Sequence, residues 1–218
     1  MNFRQAALSL LLISCGGNGS AGSDAAGPAA DAAFGLKDGA CFVYGAGAIT
    51  YYLAIQGPEA GAPPERHRFH VTLKSNGFDR RTEIWDSTGS SLLLIRRDDT
   101  LGGQIVSTTY DPGVPIALAD ANVATHVEMK ANVTAASAAR AVQFDLDVEK
   151  TADLTTAAGT VLAAKSVVTS DDGGSLAQET RWLSLGGGFF QMDLGAADLP
   201  LFSLSSMHVL KAGEHCAP

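Results

Sequence analysis

The sequence predicts a mainly β fold, a single large curved antiparallel sheet with few short helices, and three observations carry that prediction. From Cys41 onward the apolar residues recur at period two or in short runs rich in Val, Thr, Ile and Tyr, the signature of strands with one or both faces buried. Turn-forming groups separate these runs: Asn76-Gly77 suits a type I′ hairpin, and Ser87-Thr88-Gly89 and Asp171-Asp172-Gly173-Gly174 suit two more reversals. The 24 glycines and 8 prolines are spread over all 218 residues, which excludes a helical bundle or coiled coil. Hydrophobic residues make up 46% of the chain, enough to bury one core of ordinary domain size.

Taken in order, Met1 to Gln5 carries one basic residue, Arg4, and is followed by the uncharged run Ala6 to Ser14 before Cys15. That is the n-region and h-region of an export signal. The run is far shorter than the ~20 residues a spanning helix needs. Residues 16–33 contain no aliphatic side chain larger than Ala and read as a tether with an r.m.s. reach of about 25 Å. The expected organisation is a signal peptide over 1–14, a linker over 15–33 and one β domain over 34–218.

The expected strands are Phe42–Ile55, His67–Ser75, Asp79–Asp86, Ser91–Arg97, Gln104–Tyr110, Thr125–Ala131, Ala141–Lys150, Val161–Ser170, Leu176–Leu185, Gly188–Asp193 and Phe202–Leu210. The alternation is cleanest in Val142-Gln143-Phe144-Asp145-Leu146-Asp147-Val148-Glu149, where four apolar side chains face inward and Asp145, Asp147 and Glu149 form a solvated outer face. The Ala-rich stretch Thr134–Arg140 is expected to form a short helix or loop. Cys41 and Cys216 are an even pair in a chain carrying an export signal, the condition for a disulfide joining the two ends of the domain.

Two resemblances add to this reading. Leu12-Ile13-Ser14-Cys15 resembles the lipobox of bacterial lipoproteins, which implies cleavage before Cys15, a diacylglycerol on its thiol, acylation of the new amino group and a membrane anchor held by several acyl chains. Gly16 after the cysteine, in place of Asp, points to the outer membrane. In the domain, Tyr110-Asp111-Pro112-Gly113, Thr155-Thr156-Ala157-Ala158-Gly159-Thr160-Val161 and Arg181-Trp182-Leu183-Ser184-Leu185-Gly186-Gly187-Gly188 resemble the landmarks of a widespread family of secreted bacterial proteins. Those landmarks are a Tyr-x-Pro-Pro loop, a PAG turn and a Trp-x-APGVG segment. The family turns have Pro where this chain has Ala157 and Leu185. The resemblance implies a half-barrel similar to the lipoprotein-carrier (LolA-like) proteins, some of which hold acyl chains on the concave side.

Chemistry is sparse. There is no G-x-S-x-G, H-E-x-x-H or C-x-x-C, and Gly45-x-Gly47 and Gly186 to Gly188 lack the Lys and helix of a phosphate loop, so an enzyme is not expected and no cofactor is implied. A net charge of −8 and a pI of about 5.0 argue against nucleic acid. His67 and His70 fall on opposite faces of a strand, so no metal is expected there. His126 with Glu128, and Arg181 with Leu183, read as surface pairs, and Arg96-Arg97-Asp98-Asp99 before Gly102-Gly103 reads as an exposed, self-compensating turn. The aromatic set Phe42, Tyr44, Tyr51, Tyr52, Trp182, Phe189 and Phe190 either lines a cavity for an apolar ligand such as an acyl chain or fills one core. These alternatives correspond to a lipid-anchored carrier or binding module, and to a structural or interaction lipoprotein with a protein or polysaccharide partner.

Overall fold

The computed structural model describes residues 34–46, 49–60, 66–121, 123–156, 159–173, 176–184, 189–193, 203–209 and 215–216; the signal, Cys15 and the linker lie outside them. Among the described residues the chain is almost entirely antiparallel strand. The strands are β1 (Ala40–Ala46), β2 (Ile49–Gln56), β3 (His67–Ser75), β4 (Phe78–Ser87), β5 (Ser91–Leu101), β6 (Gln104–Leu118), β7 (Thr125–Ala135), β8 (Ala138–Val148), β9 (Ala152–Thr156), β10 (Gly159–Asp171), β11 (Leu176–Ser184), β12 (Phe189–Asp193) and β13 (Ser203–Val209). They form one sheet in the order β12-β11-β10-β8-β7-β6-β5-β4-β3-β2-β1-β13, with β9 against β10.

The meander follows directly from the turn chemistry. Asn76 and Gly77 both take positive φ, 52° and 75°, as a type I′ turn between twisted strands requires. Gly89 and Gly173 take positive φ at the β4–β5 and β10–β11 reversals. The β7–β8 turn corrects the expectation of a helix or loop at Thr134–Arg140: both strands run to its edge, and Ala136 and Ser137 themselves adopt φ of 49° and 71°. Alanine's helix propensity is overridden there by eleven consecutive cross-strand pairs. The single expected strand Phe42–Ile55 is likewise two, β1 and β2, paired from Cys41↔Ala54 to Ala46↔Ile49. β9 has no counterpart among the expected strands; it continues the line of β8 along the same edge of β10, joined by the Glu149 N–H donating to Lys165 O at 2.8 Å.

Curvature comes from bulges in the middle of the sheet. The registers of β4 with β5 and of β5 with β6 both shift around Ile95, and opposite it β6 carries Tyr110–Gly113 with a cis Asp111–Pro112 bond. A Cβ at Gly113 would collide with Ile95 Cδ1 and lie 3.3 Å from Leu94 O, so glycine permits the close approach at the bend. The sheet rolls until its end strands, β12 and β13, come within 8 Å Cα to Cα without hydrogen bonding into a closed barrel.

Inside the roll, alternate residues pack into one core. Phe42, Tyr44, Leu53, Ile55, Phe69, Val71, Trp85, Leu92, Val142, Phe144 and Leu146 are all buried, while Asp147 and Glu149 face solvent as the alternation predicts. Cys41 and Cys216 form a disulfide with a Cα–Cα distance of 5.6 Å, tying the C-terminal end of the chain to β1.

Candidate functional site

The interior is not uniformly apolar. On β4, Glu83 stands on the same inward face as Trp85; on β5, Arg97 is directly opposite Glu83 in the ladder. On β11, Glu179 and Arg181 point inward from the far side of the roll. Glu83 and Arg181 are each 2% exposed. Every charge is engaged: Arg181 Nη2 donates to Glu83 Oε1 at 3.2 Å and to Glu179 Oε2 at 3.0 Å. Arg97 clamps Glu179 with two bonds of 2.7 and 2.6 Å and reaches Glu83 through Nε at 3.0 Å. Trp85 Nε1 donates to Glu83 Oε2 at 2.8 Å. Arg81 extends the cluster, 3.5 Å from Glu179 and 2.6 Å from Asp99.

Electrostatics keep the cluster ionised. Burial would raise the Glu83 carboxyl, but Arg181, Arg97 and Arg81 hold it below its usual value. Glu179 is subject to the same opposition and is held down to about 2 by Arg97 and Arg181. Arg97 loses solvation on burial, yet Glu83 and Glu179 push it well above its ordinary value. Burial raises Tyr110. The network therefore persists as ions across the physiological range.

A cleft opens on this cluster. Its inner compartment, about 90 Å³, has apolar walls from Leu94, Val114, Ile116, Phe144 and Val168 and a polar floor from Arg97, Tyr110, Glu179 and Arg181. An outer compartment of about 250 Å³ shares Tyr110, Phe144, Ser170 and Ala177 with it and ends at Arg140 and Asp172, which form a 2.6 Å ion pair on the rim. Tyr110 and Phe144, which line both compartments, meet edge to face with centroids 6.0 Å apart. The bend in β6 brings both Tyr110 and Val114 to the inner compartment. A wider groove of about 440 Å³ lies at the hairpin tips, open to solvent and lined by Ile105, Val106 and Ala136 among others.

Several sequence readings change here. Arg96-Arg97-Asp98-Asp99 is not a turn but the middle of β5; the bulge at Ile95 shifts the inward parity so that Arg97 enters the interior. Arg181 is not a surface residue but one of the most deeply buried side chains. Glu83, Glu179 and Trp85 carry no local motif in the sequence that marks them as site residues. Of the aromatic set, Phe42 and Tyr44 are buried in the core, Tyr51 and Tyr52 are half-buried on opposite faces of β2, and Trp182 is half-buried on the face opposite Arg181. None of these five lines the cleft. Phe189 and Phe190 belong to β12, where only the backbone course is described.

On the outer face of β7 and β8, His126 lies 2.6 Å from Asp147 through Nδ1 and 3.2 Å from Glu128 through Nε2, its protonated ring donating to both carboxylates; the ligand atoms of His126, Glu128 and Asp145 lie within 4.8 Å of one another. Hydrogen bonds to Asp147 and Glu128 raise the His126 pKa. His126 and Glu128 are exposed, as the sequence suggested, and Asp145 is half-buried.

No family model matches the chain, and no curated protein matches it in sequence. A solved structure of a candidate lipoprotein from Parabacteroides distasonis is similar at 15% identity and a TM-score of 0.44, over 81% of this chain and 98% of that one.

Proposed function

We propose that this is a lipid-anchored protein of the bacterial cell envelope, attached through acyl chains on Cys15, whose rolled sheet is a binding module for a small ligand. The anchoring rests on Leu12-Ile13-Ser14-Cys15, and Gly16 in place of Asp supports the outer membrane. Among the described residues no helix is long and apolar enough to cross a membrane. The binding reading is carried by one observation: a cleft with apolar walls ends on a buried, fully ionised polar floor, the arrangement in which a few polar groups orient a mostly apolar ligand.

The inner compartment limits what is bound. At about 90 Å³ it is well below the several hundred Å³ of a site that engulfs a long chain, so a short ligand is favoured over the full acyl chain of a lipoprotein carrier. The closely packed core around it favours the second reading, a structural or interaction lipoprotein without a ligand.

Two measurements test these readings. Cys15→Ala should abolish labelling by radioactive palmitate and move the protein from the membrane to the soluble fraction; persistent labelling overturns the anchor. Native mass spectrometry of the full chain should show a co-purifying small molecule that organic extraction removes. A clean apo mass, with no small molecule retained from a periplasmic extract, overturns the binding reading in favour of the structural one.

A further inference from the structure

We propose that the cleft binds a small carboxylate with a compact apolar body, its head held by Arg181 and Ser166. This deepens the binding reading above and rests on it. Arg181 uses only Nη2 for Glu83 and Glu179; its Nε and Nη1, both buried, have no acceptor. Directly across the β10–β11 ladder stands Ser166, 2% exposed, and its Oγ also has no partner. Residues so paired share a face with Cβ atoms about 5 Å apart, so the three unsatisfied polar atoms belong to one inward-facing cross-strand pair, of which Arg181 lines the cleft and Ser166 stands behind it.

A guanidinium that served only to balance Glu83 would close its donors on protein acceptors, because a buried unmade hydrogen bond is costly. Here both acidic partners fall on one nitrogen, and the remaining donors are available to an incoming acceptor. Nε and Nη1 lie on opposite edges of the planar group, so one ligand oxygen occupies one edge of Arg181 and the second takes the Ser166 hydroxyl. The charge of the lining selects the sign. Arg81 is taken up by Asp99 at 2.6 Å and does not line the cleft, and of the charged side chains that do, Arg97 and Arg181 face Glu179 alone. An anion is therefore favoured over a cation. Leu94, Val114, Ile116, Phe144 and Val168 supply the contact for a body of a few carbons, and the volume of about 90 Å³ disfavours anything longer.

The test titrates the full chain, held in nanodiscs, with hexanoate, 1-hexanol and hexylammonium, following binding by calorimetry. Hexanoate should bind at least about tenfold more tightly than hexanol, the worth of one charged hydrogen bond, and hexylammonium should not bind. Ser166→Ala should weaken hexanoate and leave hexanol unchanged; Arg181→Gln should erase the preference for the acid. Should Arg181→Gln not fold, Val168→Phe, which fills the inner compartment, should block hexanoate and hexanol alike. Equal affinity for acid and alcohol, or no loss in Ser166→Ala, overturns the proposal. So does a folded wild type that ignores hexanoate, and in that case a different co-purifying molecule in the native mass spectrum leaves the wider binding reading standing.

Discussion

Arg181 on β11 and Glu83 on β4 are 98 positions apart in sequence and meet across the interior at 3.2 Å. Between their strands in the sheet lie β10, β8, β7, β6 and β5, so this contact exists only because the sheet rolls over on itself. It joins the two halves of the meander as a bolt joins the walls of a channel, and the ligand cleft lies beside it.

Removing one partner should therefore be far more damaging than removing both. Glu83→Ala leaves Arg181 and Arg97 in the interior with Glu179 as their one shared carboxylate, and a loss of about 3–5 kcal/mol is expected. The double variant Glu83→Leu with Arg181→Met removes the pair and should recover much of that loss. Urea denaturation of the three variants measures this; a double variant no more stable than Glu83→Ala contradicts the account.

Acid should act through Glu179. Its carboxyl ordinarily titrates at 4.5 and is held down to about 2 in the fold, so the unfolded chain takes up the proton first as pH falls. The stability it contributes is fully present above about pH 4.5 and is lost progressively on the way down to about 2. Glu179→Gln should be less stable than wild type at neutral pH and show a shallower decline over that window. Parallel acid titrations followed by circular dichroism would reveal it, and identical slopes for the two proteins would refute it.

The same cluster explains what could and could not be read in advance. Val142 to Glu149 betrays its strand because each residue's face is fixed by its own position, and Asn76-Gly77 betrays its turn because both need positive φ. Arg97 was illegible because the bulge at Ile95 breaks the alternation that starts with Leu92 and Leu94, and because Asp98 and Asp99 beside it mimic a self-neutralised surface loop. Its true partner, Glu179, is 82 residues away, and no local spacing encodes a contact made by curvature. Arg181 did carry a signal: it shares parity with Leu183, a core residue, and an arginine on an inward face implies a buried acid somewhere.

The two tryptophans should separate in the same way. Trp182, conspicuous before three glycines, is only half-buried, whereas Trp85 is 0% exposed and hydrogen-bonded to Glu83. Trp85→Ala should cost about 3–5 kcal/mol and Trp182→Ala less than about half as much. Thermal unfolding of both variants gives the comparison, and a larger loss at Trp182 would mean that the inward face of β11 has been assigned to the wrong parity.

The disulfide should matter through the unfolded chain as much as the folded one. Cys41 lies in β1, which pairs with β13 as Cys41↔His208, and Cys216 follows β13, so the bridge pins the chain end beside a strand already held in the ladder. It adds little native contact that β13 does not supply. What it removes is the freedom of a loop spanning 175 residues, for which chain entropy gives up to about 5 kcal/mol, with about 2–5 kcal/mol typical when a native bridge is deleted. The double variant Cys41→Ser with Cys216→Ser should unfold at lower urea and with a steeper dependence on urea, because its denatured ensemble is more expanded. A midpoint that falls with no change in slope would instead place the bridge's contribution in the folded state, at the junction of β1 and β13.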